Sequence, residues 1–294
     1  MTGNPRASVV VPAYFSHRTI EQSLDSLTRQ SFSDFEVIVV DSSADDRSER
    51  IIRERFPSVR FFRSPKRMYP HQARNHGATL TSGSLLVFTD PDCVAEPDWL
   101  ERLEAHHRQG RQVVGGAMRG LPGWWNQGVH VTKYGWWLPE SRAGSRTELP
   151  SGNFSVTREA WNRVEGFDGR YFSGDSEICR RLREAGYSIW FDPNAIITHL
   201  EHEGRAAFVR ERFLRGRDFG RMRVQRNQWG RGRCLIYLFA LPVLPWVMAA
   251  RSLKFAARGR YLVRWLWLFP VQLTGFCLWC LGEAFTHGAS LWKR

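Results

Sequence analysis

The sequence predicts an α/β chain built on a mostly parallel sheet with helices on both faces, followed by a helical, membrane-associated hairpin. Three observations carry this. Short apolar runs rich in valine, isoleucine and phenylalanine alternate with helical-period segments through the first two thirds of the chain, as in a sheet with right-handed helical crossovers. Two of those runs end abruptly in acids, at Asp41 and at Asp90-Pro91-Asp92, and the carboxyl edge is where open α/β sheets bind ligands. Beyond residue 226 the composition changes, and Leu235–Ala250 and Trp265–Leu281 carry no charge.

Taken in order, Ser8–Pro12 reads as a buried strand stopped by proline, and Ala13–His17 as a loop. Ile20, Leu24 and Leu27 recur at helical spacing. Phe35–Asp41 is a second buried strand, Asp45–Arg55 a helix, Val59–Phe62 a third strand, His71–Leu80 a helix and Ser84–Thr89 a fourth strand. Pro97–Leu100 opens another helix, since proline suits a first turn. Arg111–Met118 is strand-like. Residues 119–150 have no clear period and are rich in Trp, Gly and Pro, which predicts a long functional or mobile loop. Asn153–Val156 returns to strand character, Arg158–Val164 and Asp175–Ala185 read as helices, and Gly186 suits a carboxyl-terminal cap. Ser188–Phe191 and Ala195–Thr198 are two short β segments, the second leading into His199.

The 294 residues carry a net charge of +13, much of it from Arg205–Arg233, which holds ten arginines against Glu211 and Asp218. Such a block predicts an anionic partner. Five scattered cysteines argue against a disulfide framework, and Cys277-x-x-Cys280 lies in an apolar run without a second ligand pair. The polar opening and the short run Ser8–Pro12 do not form a signal peptide, so the amino-terminal domain is expected on the cytoplasmic side.

In an extended segment Asp90 and Asp92 point the same way and suit one hard cation. The alternative is an Asp-Pro-Asp turn before the next helix. Several stretches together resemble the family 2 glycosyltransferases, the inverting group with the GT-A fold. They are Val9–Tyr14, Gln30–Ser43, Ala73–Gly77 with Gly83 and the strand into Asp90-Pro91-Asp92, Gly166–Asp168, and Asp175–Tyr187. The resemblance covers residues 8 to about 200 in the family's order and implies a domain over 1–204.

It also implies roles. Pro12, Tyr14, Asp41, Arg74 and Asp90 would meet the nucleotide of a nucleotide-sugar donor. Asp90, Asp92 and His199 would hold Mg²⁺ or Mn²⁺, with His202 a weaker candidate. Asp175 would be the general base that takes the acceptor's proton as the sugar's anomeric centre inverts. The family commonly has Glu-Asp at this place, where this chain has Gly174-Asp175. Asn153, Trp136, Trp137 and Glu177 are acceptor-side candidates. Each has a structural alternative: a helix cap for Asp41 and Asp175, a solvated helix charge for Arg74, helix surface for Glu177, loop packing for the tryptophans. Rival functions are a nucleotidyltransferase, which would need a glycine-rich basic loop where Ala13–His17 stands, and a non-catalytic membrane-anchored binding protein, against which the intact acids count.

In Arg205–Arg223, Phe208, Arg212, Arg215 and Phe219 fall at helical spacing, which reads as a basic amphipathic helix on a membrane surface. This sets a linker at 205–233 and a hairpin at 234–294, with membrane lipid rather than nucleic acid as the partner. The expected acceptor is lipid-linked or glycan, at the cytoplasmic face of the inner membrane, in envelope polysaccharide synthesis. The loop Arg251–Arg264 carries five basic residues and no acid, against the positive-inside tendency if both runs span. A shallow hairpin in one leaflet is preferred over a spanning one.

Overall fold

The computed structural model describes residues 4–168, 174–200, 203–259 and 261–292. The chain divides into two compact units. The first comprises Met1–Arg119, Arg142–Arg170 and Gly174–Leu200, and the second contains Gly120–Ser141 and Glu201–Arg294.

The first unit is organised on strand β1 (Ala7–Ala13), whose seven residues are all buried. It pairs in parallel with β2 (Phe35–Asp41) along its full length, and β2 pairs in parallel with β3 (Arg60–Arg63). On its other side β1 meets β4 (Leu85–Thr89), also in parallel, but only through Val10. That pairing ends two residues before Pro12, which has no N–H to donate. The β-branched residues Val9, Val10 and Val11 pack with Leu85, Leu86, Val87 and Phe88, all fully or almost fully buried. Each such side chain contributes at most about 1.5–3 kcal/mol. Helices α1 (Ile20–Thr28), α2 (Arg47–Arg55) and α3 (Pro70–Thr79) connect these strands. The order β3-β2-β1-β4 reverses direction at β1, a switch point that opens a crevice outside the carboxyl ends of β1 and β4.

The rest of the sheet is less parallel than the sequence predicts. After β5 (Cys93–Ala95), α4 (Trp99–Arg108) and β6 (Val113–Gly120), the sheet closes with antiparallel strands. β7 (Gly144–Arg146) pairs with β9 (Ile189–His199), and β8 (Asn153–Thr157) pairs with β4 and β6. The register Thr89↔Asn153 brings the start of β8 to the carboxyl end of β4, and Cys93↔His199 brings the end of β9 beside Asp92. β9 is one strand where the sequence predicts two. The Asp192-Pro193-Asn194 step is absorbed inside it, with Asp192 accepting the Asn194 amide at 2.9 Å. Helix α6 (Arg158–Arg163) follows β8, and α7 (Gly174–Glu184) ends at Gly186 with φ +91°. The Tyr187 amide there reaches the Leu182 carbonyl at 3.0 Å, a Schellman cap as expected.

The second unit is helical. The expected loop over 119–150 contains α5 (Trp124–Tyr134) as well as β7. Gly128 hid the period, because an added Cβ there meets Val271 at 2.7 Å; the small residue is the contact. α8 (Arg205–Arg226) is the predicted basic helix, but its Phe208–Arg212 face turns inward. Phe208 packs with Val129 and Val271, and the Arg212 guanidinium lies 4.6 Å over the Trp279 ring, with burial pushing its pKa down to about 10. The expected lipid face is therefore taken up by α11 (Leu262–Trp292). The first apolar run is broken into α9 (Arg231–Ala240) and α10 (Leu244–Arg258), bent by 71°. Pro242 and Pro245 account for the break, the latter in the first turn of α10. By length and composition α11 is long and apolar enough to cross a membrane, and the α9–α10 pair passes only when taken together.

Candidate active site

Four strand ends and one helix start supply the functional side chains of the first unit. Asp41 closes β2 and is fully buried. Its Oδ1 accepts the Ser43 amide at 2.7 Å and also the Ser43 hydroxyl, while its Oδ2 is buried without a donor. A buried carboxylate oxygen left unpaired costs about 1–3 kcal/mol or more, so the geometry suits a ligand that brings an N–H. Ser43 also accepts the Phe15 amide at 2.7 Å, which holds the loop after β1 with Phe15 at φ +51°. Tyr14 is half exposed there, and the Arg67 guanidinium lies 4.6 Å over its ring.

The acid pair after β4 departs from expectation. The Cys93 amide bonds the Asp90 carbonyl at 3.1 Å, so Asp90–Cys93 is a β-turn with proline at its second position. Strand alternation therefore does not set the directions of the two carboxylates, which have different neighbours. Asp90 Oδ1 accepts Nη2 of Arg74, a buried arginine rather than a solvated helix charge. Asp90 Oδ2 lies against Gly152, where an added Cβ would come within 2.6 Å of it.

Asp92 instead meets His199, with Oδ2 and Nε2 3.5 Å apart. Ligand atoms of Asp92, His199 and Cys93 lie within 4.8 Å of one another. Burial first, then the Asp92 and Asp90 charges, pushes the Cys93 thiol well up, and a soft sulfur donor suits Mg²⁺ or Mn²⁺ poorly. The donors left, a carboxylate oxygen and an imidazole nitrogen, fit Mg²⁺ or Mn²⁺.

Asp175 sits in the first turn of α7. Its Oδ2 accepts the Ser151 amide at 3.1 Å and its Oδ1 lies 3.8 Å from Nε2 of His71. His71 and Arg74 lie one turn apart on α3, with 3.4 Å between Nδ1 and Nη1.

The four acceptor-side candidates lie in different surroundings. The Asn153 amide accepts from Trp99 Nε1 and donates to the carbonyls of Ala117 and Ala195, all at 2.9 Å, which fixes it as a core brace. Glu177 is buried and held by Arg180. Trp136 and Trp137 belong to the second unit, where Trp136 stacks on Phe255 at 5.0 Å. His202 lies outside the described residues. His71, Ser43, Ser151, Gly152 and Arg67 are the residues that sequence reasoning missed. Only His71 left a readable signal, an i, i+3 spacing to Arg74 on a predicted helix.

This edge, with a nucleotide-type switch point and acids at three strand or helix ends, defines a GT-A fold. The chain matches Glycosyl transferase family 2 over residues 8–170. It is 28% identical to glycosyltransferase AglE of Haloferax volcanii over 206 residues, 66% of this chain and 67% of that protein. It is 32% identical to validoxylamine A glucosyltransferase of Streptomyces hygroscopicus subsp. jinggangensis over 108 residues, 35% of this chain but only 26% of that enzyme. Among solved structures, mannosyltransferase PcManGT from Pyrobaculum calidifontis, in complex with GDP-Man and Mn²⁺, aligns with a TM-score of 0.66 at 20% identity, covering 99% of this chain and 88% of that one. The chain belongs to glycosyl transferase family 2 and is a glycosyltransferase.

Proposed function

We propose that the protein moves a sugar, with inversion, from a nucleoside-diphosphate sugar to a lipid-linked or glycan acceptor at a membrane face. The observation that carries the reading is the convergence of Asp41, the Asp92–His199 pair and Asp175 on one sheet edge. Asp41 Oδ2 accepts the base's ring N–H. Tyr14 and Arg67 flank the same loop. Asp92 and His199 would hold Mg²⁺ or Mn²⁺, which would supply positive charge to a leaving diphosphate. Arg74 secures Asp90 beside that charge.

Asp175 takes the proton of the attacking hydroxyl. The bond from the acceptor oxygen to the anomeric carbon forms as the bond to the diphosphate oxygen breaks on the opposite side. The proton ends on Asp175 and the electron pair on the diphosphate.

The membrane part of the reading is supported by the exposed apolar side chains of α9–α11, Phe239 and Val263 among them. The test is release of nucleoside diphosphate from GDP-mannose and UDP-glucose with Mn²⁺, with and without a short-chain polyprenyl phosphate. Metal-dependent release that falls by an order of magnitude or more in Asp92→Ala supports the proposal. Unchanged release in that variant sinks the metal role.

A further inference from the structure

Asp175 is not set by its own helix alone. The Ser151 amide holds Oδ2 at 3.1 Å, and Oδ1 faces Nε2 of His71 at 3.8 Å. His71 has little freedom. It is buried, its ring is stacked on Phe167 at 4.8 Å between centroids, and an added Cβ at Gly174 would lie 2.4 Å from Nε2. The absence of the family's usual acid before Asp175 is thus filled by a ring edge, because only glycine at 174 leaves room for it. On the far side, Nη1 of Arg74 lies 3.4 Å from Nδ1. A guanidinium has only N–H groups to offer, so Nδ1 accepts and the proton of the neutral ring sits on Nε2, facing the carboxylate. Arg74 also donates to Asp90. Polar groups therefore follow one another from Asp175 past His71 and Arg74 to Asp90, with the 3.8 Å step at the Asp175 end.

We propose that His71 is a positioning residue. Its Nε2–H orients the Asp175 carboxylate and, through Arg74, ties the acceptor-side acid to the Asp90 end of the donor site. The inference rests on the reading of Asp175 as the base. His71 takes no proton in the reaction. It occupies one side of Oδ1 and leaves the other for the acceptor hydroxyl. The 3.8 Å separation is longer than a hydrogen bond, and such contacts tighten when substrate is bound. Occupation of the donor end fixes Arg74, and with it the ring that aims the base.

Two measurements test this. In protein labelled with ¹⁵N-histidine, long-range ¹H–¹⁵N spectra at neutral pH are expected to show His71 as the Nε2–H tautomer, with Nε2 shifting in Asp175→Asn. An Nδ1–H tautomer overturns the proposal without any substrate. In turnover with Mn²⁺ and GDP-mannose or UDP-glucose, His71→Phe keeps a ring against Phe167 but loses the N–H, whereas His71→Gln restores one. The expected result is about a tenfold fall in kcat for His71→Phe with donor KM unchanged, most of it recovered in His71→Gln, and no further fall when His71→Phe is added to Asp175→Asn. Equal losses in both backgrounds, or Gln no better than Phe, overturn the positioning role and leave Asp175 as the base. Full turnover in Asp175→Asn alone removes the base itself, and the two failures are thereby distinguished.

Discussion

The two units treat apolar surface in opposite ways. In the first, the valines, leucines and phenylalanines of β1, β2 and β4 are buried, and the large apolar side chains exposed among its described residues are Tyr14, Phe15 and Tyr69, on the loops that follow β1 and precede α3. In the second, Ile236, Phe239, Val243, Trp246, Val263 and Trp267 are all more than half exposed, Phe239 at 84%. A monomer in water rarely keeps so many large side chains outside. The first unit completes its folding with its own residues and leaves polar atoms open for a ligand. The second buries some ion pairs, as with Lys133 and Glu203 at 2.6 Å and Arg223 and Glu283 at 3.0 Å, and presents large apolar side chains outward beside exposed basic ones such as Arg210, Arg231 and Arg251. One region leaves polar atoms open at a sheet edge, and the other exposes large apolar side chains.

That contrast can be broken at several points. The largest effect is expected at Asp175, where Asn keeps the shape and removes the base: kcat should fall by roughly 10²–10⁴ with donor affinity retained. Loss of donor binding with an unchanged rate, measured by initial-rate kinetics and calorimetry, would assign chemistry to another group. Next is acid stability of the first unit. His107 is buried between the Arg111 carbonyl and the Ser155 hydroxyl, and burial pushes its pKa down to about 4. The folded value lies below the unfolded one near 6.5, so the unfolded chain takes up the proton first. Stability is therefore full above pH 6.5 and is lost as pH falls toward 4, by about 3 kcal/mol at most. Melting temperature against pH should show this loss, and a His107→Gln variant should show a flatter profile over that window.

The membrane side comes third. Phe239→Ser is expected to weaken binding to phospholipid vesicles by tenfold or more, from about 1.5–3 kcal/mol of lost burial. Donor hydrolysis in detergent should not change. Equal flotation of both proteins would mean that this face meets something other than lipid. The smallest effect is expected for Asp41→Asn, which replaces an acceptor oxygen by an amide and should raise the donor's Kd by about tenfold with kcat little altered.

The sheet half that carries the donor site was readable, because parallel strands buried on both sides are written as unbroken apolar runs. Their acids fall at the run ends by chain order alone, so Asp41, Asp90 and Asp92 stood out, whereas Asp175, at a helix start, stood out only through the family resemblance. What hid was local geometry. Whether Asp90 and Asp92 point together depends on one backbone bond, Cys93 N to Asp90 O, and proline permits both a strand end and a turn. Asn153 reads as an acceptor-side candidate, and in the fold its amide is engaged by three core partners that come from distant parts of the chain. α5 was missed for a similar reason. A helix packed closely on another helix uses Gly128 where a periodic pattern would show leucine. The Phe208–Arg212 side of α8 reads as lipid-facing in isolation, and its packing on Val129, Val271 and the Trp279 ring turns it to protein, while Arg205, Arg210, Arg215, Arg221 and Arg226 stay exposed.

The antiparallel return of β8 also bears on the order in which the enzyme comes into being. β1 to β4 pair through neighbouring crossovers and need only the first third of the chain. Ser151, Gly152 and Asp175 arrive later and must close a much longer loop onto the finished edge of β4, a step that carries its own entropic cost. A chain in which only these first strands have formed would thus hold Asp41 and Asp90 at strand ends while still lacking Asp175. Nucleotide binding is then expected to recover before turnover when the chain folds. Refolding followed by stopped-flow nucleotide fluorescence and by turnover should show binding recovering before activity; simultaneous recovery would mean that the whole edge forms in one step.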